Sequence, residues 1–140
     1  NNLCGVGRDQ DWSSHGIEHE LSSLYDVAHG AGLAVIMPAW MKYVMKHDIN
    51  RFAQFAVRVW NCDMNFADPE ITAREGISRF QAFLTSIGMP LTFEALGAKE
   101  EDIPVLVEKF GLGDGRTGGF VSLSSADITQ IYKIAAHAEI

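Results

Sequence analysis

A chain of 140 residues with 47% hydrophobic content has the length and the apolar material for one domain with a core of its own. Its formal net charge of −7 argues against nucleic acid or a membrane surface as a partner, because anionic partners demand a basic patch. The two cysteines, Cys4 and Cys62, make no metal-ligand spacing and read as reduced thiols, and no charged-then-apolar leader is present, so a cytoplasmic protein is expected.

Residues 1–10, with Gly5 and Gly7, read as a loop. Asp11 is a plausible N-cap for a first helix that carries His15 and His19 four residues apart on one face. Ser22, Ser23 and Asp26 compete for backbone hydrogen bonds and predict a turn over 22–26. Beyond His29, residues 32–41 carry no charge and are apolar on every side, as in a helix enclosed by other helices. That stretch is far short of the roughly 20 residues that cross a bilayer, so it reads as a buried central helix, kinked or broken at Pro38.

The polar segment 47–50 offers Asp48 or Asn50 as a cap for the next helix. There Phe52, Phe55, Ala56, Val59 and Trp60 form a stripe expected to lie against the central helix and to end near Asn61. Asp68, Pro69 and Glu70 open a further helix, with Ala73, Ile77, Phe80, Phe83, Leu84 and Ile87 on its core face and Gly88 as its stop. Residues 92–96 suit a single helical turn closed by Gly97, and Asp102-Ile103-Pro104 begins a short helix ended by Gly111. The sequence G-L-G-D-G-R-T-G-G-F over 111–120 lacks the Lys-Ser/Thr ending of a phosphate-binding loop and reads as a flexible connector. Ser124 and Asp127 resemble a capping box for a last helix that buries Ile128, Ile131, Tyr132 and Ala135. No alternating strand pattern of useful length occurs, so the fold class is all-α, a helical bundle.

Three of the five histidines lie just ahead of the central helix. His15 and His29 are fourteen residues apart, roughly 21 Å along an unbroken helix, so they could share an ion only if the chain reverses between them. Neutral imidazole is a common transition-metal ligand, but polar residues on a helix surface would look the same. Glu18 and Glu20 could tune His19, although a solvated helix face accounts for them as well. His47 and His137 show no supporting spacing. A self-contained helical metal-binding module, or an interaction module without catalysis, therefore stays open alongside an enzyme.

The run over 11–43, D-W-S-S-H-G-I-E-H-E-L-S-S-L-Y-D-V-A-H-G-A-G-L-A-V-I-M-P-A-W-M-K-Y, resembles the signature of the iron-containing, group III alcohol dehydrogenases, in their NAD(P)H-dependent butanol dehydrogenase branch. The likeness continues more loosely through A-x-R-V-W-N at 56–61, G-M-P at 88–90 and D-I-x-x-I-Y-K-I-A at 127–135. This resemblance implies the closing part of the helical domain that the family shares with dehydroquinate synthase-like proteins. In the family an Asp and three His hold the metal and the last two His stand fourteen apart, which implies His15 and His29 as metal ligands. It further implies that His19 lies by the reacting carbon and serves proton transfer. The implied reaction is hydride transfer between NAD(P)(H) and an alcohol or aldehyde such as butanol or butyraldehyde, with Fe(II) as the metal and Zn(II) as the alternative. Family members are much longer, so residues 1–140 are expected to be a C-terminal α-helical, metal-binding fragment. The dinucleotide-binding domain that holds NAD(P)(H), the Asp and the first His ligand would all lie upstream, and the full-length protein would be a homodimer.

Overall fold

The computed structural model describes residues 2–138, and its regular structure is entirely helical, with no strand among the described residues. After a 3-10 turn over Asn2–Gly5, helix α1 (Ser13–Tyr25) and helix α2 (His29–Val44) form an antiparallel hairpin. The turn comes later than the serines suggest. Helix α1 runs on through Ser22 and Ser23, because the Ser22 hydroxyl is drawn to the Glu18 side chain, and it ends at Asp26, whose φ is 52° and whose N–H returns to the Ser22 carbonyl.

Helix α2 is the centre of the structure, as its composition predicts, and packs on α1, on α4 (Pro69–Ser86) and on α7 (Ser125–His137). Ala34, Val35, Ile36, Ala39 and Val44 are all buried in it. Pro38 does not break this helix, which continues to Val44. Neighbours on several sides hold it together where Pro38 lacks an N–H to donate.

Asp48 caps helix α3 (Ile49–Trp60) by accepting from the Arg51 N–H at 3.1 Å, and Asn61, with φ 53°, ends it. Contrary to expectation, the main partner of α3 is α4 rather than α2. The reason lies at Gly76, where a Cβ would stand 2.4 Å from Ala56 Cβ, so the two backbones approach more closely than any side chain would permit. Phe52 belongs to the main core and also lines, with Phe55, Trp60, Phe80 and Phe83 and with Met37 and Trp40 from α2, an open apolar cleft of about 500 Å³. Phe83 and Ile87, read from sequence as core, are about half exposed.

Thr92 caps the single turn of α5 (Phe93–Leu96), which Gly97 closes at φ 85°. Helix α6 (Ile103–Phe110) ends at Gly111. Asp102, just ahead of α6, does not cap it but accepts a hydrogen bond from the Tyr25 hydroxyl. The glycine-rich segment 111–120 is more than a connector. Thr117 and Leu123 exchange backbone hydrogen bonds of 2.9 and 2.7 Å, and the Phe120 N–H donates to Asp11 Oδ2 at 2.7 Å. The other oxygen of Asp11 accepts from the Ser13 N–H at 2.7 Å; the N-cap position itself falls to Trp12, one residue later than expected, so the carboxylate bonds the first helical N–H from just ahead of the cap and straps this loop to α1. Burial alone would raise the pKa of Asp11, but the bonds from Ser13 and Phe120 outweigh that effect and lower it. Helix α7 carries the expected capping box between Ser124 and Asp127. Tyr132 is fully buried and its hydroxyl donates to the Ile17 carbonyl at 2.6 Å, tying α7 to the middle of α1. Both cysteines are free, Cys4 exposed and Cys62 buried, and among the described residues no helix is long and apolar enough to cross a membrane.

Candidate metal centre

The α1–α2 hairpin supplies the reversal that the fourteen-residue spacing requires. His15 and His19 project from one face of α1, and His29 is the first residue of α2. The ring of His29 lies 5.6 Å from that of His15 and 5.2 Å from that of His19, centroid to centroid. Trp12 places its ring edge-on to His15 at 5.0 Å. His15 is half-buried, whereas His19 and His29 are exposed, so the three imidazoles ring an opening rather than a closed core. His47 and His137 lie elsewhere: His47 packs on Phe120 with centroids 5.0 Å apart, and His137 pairs with Glu100 at 3.1 Å.

Of the two readings that the sequence left open for Glu18, the solvated helix face is the one the structure overturns. Glu18 is fully buried. One carboxylate oxygen pairs with Nδ1 of His29 and the other accepts from the Ser22 hydroxyl. A buried carboxylate is costly unless it is paired and hydrogen-bonded, and both oxygens here have a partner. A signal was present in the spacing: Glu18 stands four residues after Ser14 and three before Leu21, on the buried face of α1 that Ile17 also shares. Glu20, by contrast, stays partly exposed.

The pKa of His15 is lowered, first by burial and then by the neighbouring His29 and His19, with Glu18 acting in the opposite sense. A lowered value keeps the imidazole neutral at physiological pH, the form that binds metal. Glu18, His19 and His29 each offer a donor atom within 4.8 Å of the others, and His15 stands beside them. Because the bond from Glu18 engages Nδ1 of His29, the atom left for an ion is Nε2, on the other edge of that ring. Converging imidazoles suit a first-row transition metal, so the residues present fit one. The segment 111–120 is tied to Asp11 and to Leu123.

Comparison with known proteins identifies the family. The profile described as Fe-containing alcohol dehydrogenase family, C-terminal, matches residues 3–136. NADH-dependent butanol dehydrogenase A of Clostridium acetobutylicum is 33% identical over 135 residues, covering 95% of this chain and 34% of its own length. Probable NADH-dependent butanol dehydrogenase 1 of Bacillus subtilis is 34% identical over 133 residues, with 95% of this chain and 34% of the relative covered. Among solved structures, NADH-dependent butanol dehydrogenase A from Thermotoga maritima superposes with a TM-score of 0.89 at 36% identity, covering 97% of this chain and 36% of that one. The chain thus spans about a third of the length of these relatives. With nearly its whole length matched and the same helical architecture, the chain belongs to the Fe-containing alcohol dehydrogenase family and corresponds to its C-terminal region.

Proposed function

We propose that this chain is the C-terminal helical domain of an NAD(P)H-dependent alcohol dehydrogenase, which transfers a hydride between the nicotinamide and a small alcohol or aldehyde such as butanol or butyraldehyde. The observation that carries the reading is the convergence of His15, His19 and His29 at the mouth of the α1–α2 hairpin. The butanol dehydrogenases among its relatives support the substrate class. His15 and His29 would hold the metal, Fe(II) or alternatively Zn(II), with further ligands from the part of the length this chain does not span. When bound, such an ion supplies Lewis-acid polarisation of the substrate oxygen. The nucleotide-binding domain belongs to the same remaining part, and the whole protein is read as a cytoplasmic homodimer. His19 is exposed beside His29, where a ring nitrogen exchanges protons with water and with the substrate hydroxyl.

A second assignment makes His19 a ligand in place of His15, and the mutual closeness of donor atoms on Glu18, His19 and His29 favours it. Single alanine variants of the full-length protein separate the two. His15→Ala and His29→Ala are expected to lose metal. His19→Ala is expected to keep metal, with turnover reduced about 10²–10⁴-fold, the usual contribution of proton relay. Metal analysis alongside alcohol oxidation with NAD⁺ and NADP⁺ decides the matter. Metal retained by His15→Ala and lost from His19→Ala would reverse the two roles.

A further inference from the structure

We propose that Glu18 is a positioning residue for His29 and that Gly32 is the position that makes room for it. The inference rests on the reading of His29 as a metal ligand but is carried by different observations. Glu18 is fully buried, where a carboxylate is costly unless it is paired and hydrogen-bonded. What it holds is His29: the Nδ1–H donates to one carboxylate oxygen, while the Ser22 hydroxyl donates to the other and fixes the rotation of the carboxylate. With its proton on Nδ1, the imidazole has a bare Nε2 available to an ion, and the ring cannot turn without breaking the bond. Its remaining neighbours would not fix it, since the rings of His15 and His19 touch it only loosely and its side chain is 47% exposed.

Gly32 completes the arrangement. It lies one turn after His29 on α2, and a Cβ there would stand 2.2 Å from Oε1 of Glu18 and 2.8 Å from its Cγ and Cδ. A Cβ at this position would therefore have to displace the carboxylate. This gives Gly32 a use of its own: it seats the acid that orients the histidine.

The first test needs no variant. In metal-free full-length protein with ¹⁵N-labelled histidine, at about pH 8 and so above the ordinary imidazole range, the His29 resonances are expected to show the Nδ1–H tautomer. An Nε2–H tautomer would overturn the proposal. Glu18→Ala and Gly32→Ala should each remove that tautomer preference and lower Zn²⁺ affinity, measured by chelator competition, about 10–100-fold, the usual effect of losing an outer-shell partner. Glu18→Gln keeps a carbonyl that accepts the Nδ1–H and should stay closer to the parent. Gly32→Ala should add little in a Glu18→Ala background, because the group it displaces is already gone. His29→Ala distinguishes the two levels of the reading. If it leaves Zn²⁺ affinity unchanged, His29 is no ligand and the proposal falls with that assignment. If it weakens binding while Glu18→Ala and Gly32→Ala keep parental affinity and tautomer, the positioning role alone is refuted. Metal loss from Glu18→Ala as complete as from His29→Ala would make Glu18 a ligand and equally overturn the proposal. Should Glu18→Ala fail to fold, Gly32→Ala and the parental tautomer still decide it.

Discussion

The seam between α3 and α4 offers a sharp test of the packing, through Gly76→Ala. Alanine is ordinarily the better helix former by about 1 kcal/mol, so propensity alone predicts a more stable protein. The structure predicts the reverse. A methyl at position 76 would start 2.4 Å from Ala56 Cβ and 2.7 Å from Ala56 Cα, where carbon atoms at rest stand about 3.5–4.0 Å apart. One obstacle is backbone, so no change of rotamer clears it and the helices must part by roughly 1 Å. Overpacking of this kind costs about 1–3 kcal/mol, and the backbone clash puts the cost in the upper half of that range. Set against the propensity gain, the net loss is about 1–2 kcal/mol, or roughly 3–6 °C in melting temperature for a chain of this size. Urea and thermal unfolding of the 140-residue chain measure it. The Ala56→Gly background refines the test, since it removes the nearer contact but leaves the Cα, so Gly76→Ala should cost less there without becoming neutral. A midpoint raised by Gly76→Ala, or an equal cost in both backgrounds, would show that the two helices do not meet at these residues.

Other outcomes follow from single contacts. Tyr132→Phe loses the hydrogen bond to the Ile17 carbonyl and is expected to lower stability by about 0.5–1.5 kcal/mol in urea unfolding, with the ring packing kept. The pKa of Asp127 is lowered, first by the Ser124 hydroxyl and then by the Tyr43 hydroxyl. A depressed folded value means stability that is present above the ordinary carboxylate range, near pH 4, and is lost as pH falls through the lowered value. Asp127→Asn should therefore be less stable than the parent at neutral pH and lose less on acidification, and parallel pH profiles would contradict this. By itself the 140-residue chain is expected to fold, to hold metal poorly and to be catalytically silent, and to self-associate through the open cleft where Val59 and Phe83 are exposed. Far-UV circular dichroism, metal content, turnover and molar mass of the purified chain check the four in turn, and robust alcohol oxidation would refute the placement of the remaining ligands outside it.

Much of the fold was legible because helix ends carry local chemistry. Asp48, Asp68, Thr92 and Ser124 cap through hydrogen bonds within three residues, and Asn61, Gly97 and Gly111 take up the left-handed conformation that ends a helix. Such signals depend on neighbours in sequence, so a sequence displays them. The pairing of helices is different. The stripe Phe52, Phe55, Ala56, Val59 and Trp60 announces a buried face without naming what covers it, and the choice of α4 over α2 was made by Gly76, a residue with no side chain to enter a hydrophobic pattern. The strap over 111–120 was hidden for the same reason, since its bond to Asp11 joins positions 109 residues apart.

The histidines and the acid between them show the same divide within one site. His15, His19 and His29 stood out because imidazoles are few and their spacing can be set against a helix, and the only structural condition, a reversal of the chain, was met by the α1–α2 hairpin. Glu18 sat in the same run yet read as solvated, because hydrophobic periodicity weighs a carboxylate as polar wherever it falls. What buries it is not its own character but three other residues: Ser22 one turn on, His29 across the hairpin, and Gly32, which leaves the space. A charged residue on the apolar stripe of a helix, facing a histidine and a glycine on the next, is thus the pattern to seek where one imidazole must be held in a single tautomer. In this chain His29 and the buried Glu18 come from different helices, so the geometry between them depends on the α1–α2 packing. A substitution that shifts the hairpin by a fraction of an ångström should therefore weaken metal binding before it unfolds the domain.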